Sequence, residues 1–131
     1  MKQYLLIITM LALVVIGPGC ATQPGWSRHE MCFGLSADEG RTKITDQQWQ
    51  QFRDDEIVTR FPDGFTVHSA TGYWRSGDET YAEPSMVLMV VAPETPDTRK
   101  KLDAIAQAYA QRFRQQSVLE IKSHVDVDFH N

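Results

Sequence analysis

Arg60, Asp63, His68, Trp74, Arg75, Glu83 and Ser85 bring the chain's most reactive side-chain types together in its middle third. Gathered at one end of a sheet they would make a polar pocket. The planar fork of an arginine would bind an anionic group there, and Glu83 would serve as general acid or base. The same residues also read without chemistry. Pro62-Asp63-Gly64 is turn sequence, Arg60 neutralises the end of a preceding helix, and Arg75 with Glu83 forms a cross-strand ion pair. His68 is either a general base or, as we expect, a buried and hydrogen-bonded histidine.

His124, Asp126, Asp128 and His130 alternate along one strand and have the types of a metal box. At about 3.3 Å per residue the two histidines stand roughly 20 Å apart, too far to share one ion. His124 and Asp126 alone would need a third ligand from elsewhere, and outward charges on an edge strand already have a use in preventing unwanted pairing. We therefore assign no metal and no cofactor. His29-Glu30 opens a zinc-protease-like string, but Phe33 stands where its second histidine is required. The chain has no Gly-x-Ser-x-Gly elbow, no Cys-x-x-Cys and no phosphate-cradling glycine loop.

The elements that must position these residues are legible from periodicity and end signals. Met31–Ser36 is a short apolar strand. Thr45 caps a helix running to about Thr59, with Gln48 completing a capping box and Ile44 and Trp49 a hydrophobic staple. The helix buries Trp49, Phe52 and either Ile57 or Val58. Phe65–Trp74 is a weakly alternating strand, followed by a polar hairpin near Asp78 that places Glu83 close to Trp74 and Arg75. Met86–Ala92 is a continuous apolar strand of the kind found inside sheets. Thr95-Pro96 starts a second helix, whose Leu102, Ile105, Ala106, Tyr109 and Phe113 share one face. A last strand alternates Leu119, Ile121, Val125, Val127 and Phe129, expected to face inward, with Glu120, Lys122, His124, Asp126, Asp128 and His130 outward.

The order βαββαβ predicts a ferredoxin-like α+β fold, a four-stranded antiparallel sheet with two helices on one face. Right-handed crossovers put the first and third strands in the middle, and those two are the continuous apolar runs. The uncovered sheet face has apolar content and wants a partner. A homodimer, face to face as in dimeric α/β barrels, is the expected solution.

The first residues differ from all the others. Lys2 precedes an apolar run, Leu5–Ile16, closed by Gly17-Pro18-Gly19-Cys20, and every acidic residue follows Cys20. This is the pattern of a secretory signal, and the run is short for a membrane span, which needs about 20 residues. Cys20 after Gly19 resembles the cleavage box of bacterial lipoproteins, in which the cysteine becomes the lipid-bearing N-terminus. Gly17 stands where that box usually has a branched apolar residue, and Gly17 and Gly19 equally suit ordinary signal peptidase. We expect residues 1–19 to be a signal peptide, residues 20–29 a lipidated cysteine and tether, and residues 30–131 the folded domain. Ala21 rather than aspartate favours the outer membrane, by the same resemblance. Cys32 is expected to be a buried thiol; without lipid on Cys20, a Cys20–Cys32 disulfide becomes available after export.

The length of 131 residues suits one domain after processing. A net charge of −4 argues against a nucleic-acid binder, which needs a basic face. Two cysteines are too few for a disulfide scaffold or a four-thiolate zinc site.

Phe33-Gly34-Leu35-Ser36, Gln48-Trp49-Gln50-Gln51-Phe52, Arg60-Phe61-Pro62-Asp63-Gly64-Phe65-Thr66-Val67 and Gly72-Tyr73-Trp74-Arg75 match a known family. Glu83-Pro84-Ser85-Met86-Val87-Leu88 and Gln116-Ser117-Val118-Leu119 extend the match. Over about Met31 to Phe129 the chain resembles family 3574 of the domains of unknown function. The resemblance implies a small exported bacterial protein, commonly a lipoprotein. It supplies no activity, so no catalytic residue is carried over. The expected function is a non-catalytic binding or structural module of the cell envelope, held to the membrane through lipid on Cys20. The alternative is a small periplasmic enzyme or ligand sensor with a pocket near Arg75 and Glu83.

Overall fold

The computed structural model describes residues 24–38 and 40–131. The expected signal peptide and the expected lipidation site, Cys20, with Ala21, lie outside the described residues.

Four long strands and two helices follow in the expected order. They are β1 (Trp26–Gly34), α1 (Asp46–Phe52), β2 (Thr66–Ser76), β3 (Glu79–Pro93), α2 (Pro96–Phe113) and β4 (Leu119–Val125). The antiparallel sheet has the spatial order β2-β3-β1-β4. The fold is ferredoxin-like, with the two apolar strands side by side in the middle, Met31 opposite Leu88 and Phe33 opposite Met86. A small ladder, Ser36–Ala37 against Thr42–Lys43, caps the end of β1.

The helix starts behave as their residues dictate. Thr45 Oγ1 accepts the Gln48 N–H, and the Gln48 side chain accepts the Thr45 N–H, closing the capping box. Thr95 caps α2 through the Thr98 N–H, with Pro96 at the first helical position. After Phe52 the helix widens into a π-helical stretch, Arg53–Val58. The wider turn delivers Ile57 to the core with no exposed surface and leaves Val58 41% exposed.

One face of the sheet meets both helices. Phe33 lies at its centre, with ring centroids 4.7 Å from Tyr109, 5.4 Å from Trp49 and 6.0 Å from Phe52. Met31, Leu88, Val90, Leu102 and Ile105 complete the buried core. At roughly 1.5–3 kcal/mol for each large side chain taken from water, this cluster is the main favourable term.

Three expectations about strands are corrected. β1 begins at Trp26, not Met31. Ser27 and His29 are polar but buried, so the stretch read as tether is strand from Trp26 onward; Trp26 packs on the domain, its ring edge 6.3 Å from Phe129. β4 alternates as expected but stops at Val125 and presents the opposite face. Its register sets Leu119 opposite Cys32 and Ile121 opposite Glu30, on the side away from the helices. Leu119 is 60% exposed and Ile121 46%. The cause is the polar start of β1. Ser27 and His29 line the helix side there, and polar partners from β4 satisfy them better than leucine or isoleucine would. The open face is therefore more apolar than the sequence suggested, with Val87, Met89 and Val91 on β3 beside Leu119, Ile121 and half-buried Cys32.

Candidate functional site

At the hairpin end of the sheet lies a half-open cleft of about 720 Å³. Its walls are Trp74, Tyr81 and Glu83 from the β2–β3 hairpin, Ser36 beyond the end of β1, and Arg114–Ser117 from the connection between α2 and β4.

The hairpin turns on Gly77-Asp78, with Gly77 at φ 60° in the left-handed region that glycine tolerates. That tight turn fixes a register with Ser76 opposite Glu79, Trp74 opposite Tyr81 and Gly72 opposite Glu83. Trp74 and Tyr81 stack, centroids 4.7 Å apart and planes 19° from parallel. The Tyr81 hydroxyl donates to Glu79, and that hydrogen bond raises the Tyr81 pKa, with burial adding to it.

Glu83 is half-buried and lies over the backbone of β1. A Cβ at Gly34 would sit 2.6 Å from Glu83 Oε1 and 2.7 Å from its carboxyl carbon. Gly34 has no positive φ, so what favours glycine there is room for the Glu83 carboxylate and not backbone conformation. Glu83 Oε1 accepts the Ser36 N–H at 3.1 Å. Gly72, opposite, likewise leaves space for Ser85, whose Oγ would be 3.3 Å from a Cβ there and donates to the Glu83 carbonyl. The floor is fastened to α2. The Tyr109 hydroxyl donates to the Gly34 carbonyl at 2.6 Å, and the Gln115 side-chain amide donates to the Ser36 carbonyl. Burial, and secondarily the charge of Glu83, push the Tyr109 pKa well above the usual tyrosine range.

The structure therefore unites Trp74, Glu83 and, beneath them, Ser85. It separates the others. Arg60 donates to the Glu56 carbonyl and carboxylate, closing the end of the π-helical stretch. It and exposed Asp63 precede the start of β2, about 26 Å of strand away from Trp74. His68 is a correction: it stands exposed on the open face opposite Val87, not buried. The Arg75–Glu83 ion pair is a second correction. The turn is two residues long, so Arg75 lies opposite Thr80, and its guanidinium meets the Gly77 carbonyl and Asp78 at the hairpin tip. Tyr81, Ser36, Arg114 and Gln115 were missed. Tyr81 was within reach, since a Gly-Asp turn of two residues pairs it with Trp74. The others come from segments whose meeting depends on the whole fold.

A second polar cluster occupies the opposite end of the sheet. Ser27 Oγ lies 2.8 Å from His29 Nε2, and His29 Nδ1 lies 2.7 Å from Glu120 Oε1, whose other oxygen accepts from Arg99 at 2.9 Å. The order hydroxyl, imidazole, carboxylate is that of a nucleophile activated by a base. Ser27, however, has no exposed surface, so an acyl group cannot reach its oxygen. The cluster is a buried polar lock between β1, β4 and α2, each polar group finding its partner. Beside it Glu94 holds both Lys122 at 2.8 Å and His124 at 2.9 Å. The Lys122 hydrogen bond leads in lowering the Glu94 pKa against the opposing effect of burial. His124 is thus engaged by Glu94 with an ammonium at hand, a poor setting for a cation. Among the described residues no group of three His, Cys, Asp or Glu converges as metal ligands.

With this geometry in place, a family model described as "Protein of unknown function (DUF3574)" matches residues 28–129. The chain belongs to this family. No curated protein matches the chain. Among solved structures, a phage SAM lyase in complex with S-methyl-5'-thioadenosine superposes with a TM-score of 0.58 at 17% identity, covering 77% of this chain and 82% of that one. The apo phage SAM lyase gives 0.57 at 14%, covering 82% and 94%. CutA from Synechococcus elongatus PCC7942, complexed with Bis-Tris, gives 0.50 at 10%, covering 79% and 84%. At such identities the likeness is one of fold alone.

Proposed function

We propose that this protein is a non-catalytic binding module of the cell envelope, anchored by lipid on Cys20 on the periplasmic side of the outer membrane, that takes a small ligand in the Trp74–Tyr81–Glu83 cleft. The observation that carries the binding role is the construction of the cleft floor. Gly34 and Gly72 are bare where side chains from β3 need room, and hydrogen bonds from Tyr109 and Gln115 hold the backbone beneath. Pre-positioned polar groups beside an apolar wall are what a small-molecule site requires. The export pattern before Ala21 supports the anchoring. The apolar open face supports a homodimer, because exposed Leu119, Ile121 and Val91 form a patch that a second copy would cover.

Titration of the full-length protein in a maltoside detergent with an extract of small envelope molecules tests this reading. Chemical shifts of Ser36, Trp74, Tyr81 and Glu83 should move, and Trp74→Ala should abolish the shifts while melting stays within about 3 °C. Shifts confined to other parts of the protein, or none, would contradict it.

A further inference from the structure

The charge balance of the cleft points to a class of ligand. We infer that the cleft receives an organic cation, an ammonium group carried on an apolar or flat body, with Glu83 as its counter-charge and the Trp74–Tyr81 stack as its wall. The inference rests on the reading of the cleft as a binding site and goes beyond it in naming the chemistry.

Among the described residues Glu83 has no cationic partner. Its Oε1 accepts one backbone N–H, from Ser36, and among the described residues no lysine, arginine or histidine makes an ion pair with either oxygen. Gly72, directly opposite, offers no side chain. Arg75, the cation nearest in sequence, is drawn to the hairpin tip by Asp78 and the Gly77 carbonyl. Arg114 lines the cleft but is bound at 3.4 Å to Asp38 and is otherwise in solvent. A half-buried carboxylate with one hydrogen bond is costly unless a positive group completes it. Its negative charge is felt at Tyr109, whose hydroxyl it helps keep protonated after burial has done most of that work.

The wall has the matching preference. Trp74 is 52% exposed and Tyr81 40%, stacked on one another beside the carboxylate. The negative face of an indole attracts an ammonium group and its polarised methyl or methylene neighbours. An anion would meet Glu83 at once, and a neutral ligand would leave the carboxylate uncompensated.

Three soluble probes of similar size decide the matter: benzyltrimethylammonium, benzyl alcohol and phenylacetate, titrated into the full-length protein in maltoside and followed by amide and indole chemical shifts. The cation should bind at least about tenfold more tightly than the alcohol, phenylacetate should not bind, and higher salt should narrow the gap. Glu83→Gln keeps an acceptor for the Ser36 N–H and should bring the cation down to the level of the alcohol. Glu83→Asp keeps the charge and should retain part of the preference, which holds the test open if the glutamine variant misfolds. Equal binding of alcohol and cation at the cleft, or an unchanged cation affinity in Glu83→Gln, would overturn the ligand class and leave the cleft as a binding site. Failure of all three probes to shift the cleft residues would overturn both.

Discussion

Replacing Gly34 with alanine should dislodge Glu83 without breaking the sheet. The backbone at Gly34 suits any residue, so the effect is purely one of space. The new methyl group would lie 2.6–2.8 Å from both carboxylate oxygens, and the carboxylate, at the end of a flexible side chain, would swing into the cleft. It would then lose the Ser36 N–H, a charge-assisted hydrogen bond of about 1.5–3 kcal/mol. Alanine in a strand recovers roughly 0.5–1 kcal/mol relative to glycine. The net cost is about 0.5–2.5 kcal/mol, or roughly 2–20 °C in melting temperature for a domain near 100 residues. Urea unfolding followed by circular dichroism measures it. The same substitution made in a Glu83→Ala background removes the clash, so there it should be neutral or stabilising by about 0.5–1 kcal/mol. Costs for Gly34→Ala that agree within about 0.5 kcal/mol in the two backgrounds would refute the argument, because the glycine would then be required for a reason other than Glu83.

Tyr109→Phe should cost about 1–1.5 kcal/mol through loss of the bond to the Gly34 carbonyl. Because the folded protein holds the Tyr109 proton above the pH at which the unfolded chain releases it, stability is fully present below about pH 10 and declines by about 1.4 kcal/mol per pH unit above it; denaturant titrations at rising pH should show this slope reduced in Tyr109→Phe, and an identical slope would count against it. Glu120→Gln should destabilise by about 1–3 kcal/mol, since it weakens the hydrogen bonds to both His29 and Arg99; a urea midpoint equal to that of the unmodified protein would show that the polar lock contributes nothing. Burial, with the nearby charge of Glu30 second, raises the Cys32 pKa, so iodoacetamide should react slowly at pH 8, and more slowly still as rising protein concentration covers the open face; a rate independent of concentration would argue against face-to-face dimerisation.

Much of this fold is written locally. Thr45 with Gln48, and Thr95 with Pro96, announce both helix starts because capping involves only neighbours in sequence. The two apolar runs announce the central strands because both of their faces are apolar, one buried against the helices and the other forming the open apolar face. The face of β4 was not legible. Alternation shows that Leu119 and Ile121 lie together, but which side they take depends on the partner strand, and buried Ser27 and His29 reverse the expected choice. The start of β1 was hidden for the same reason, since its first residues are polar and buried among partners distant in sequence. At the cleft, Trp74, Glu83 and Ser85 were found because one hairpin carries them, while a register displaced by the tightness of the Gly77-Asp78 turn produced a false ion pair with Arg75. Arg60 and Asp63 were close in sequence and far in space, the ordinary consequence of an intervening strand.

A native mass spectrum of the protein extracted from its membrane into maltoside tests the account most directly. The proposed function predicts a chain beginning at Cys20 with covalent lipid, carrying a small cationic adduct that is absent from the Glu83→Gln protein. A chain without lipid, or a small-molecule adduct retained equally by Glu83→Gln, would contradict it.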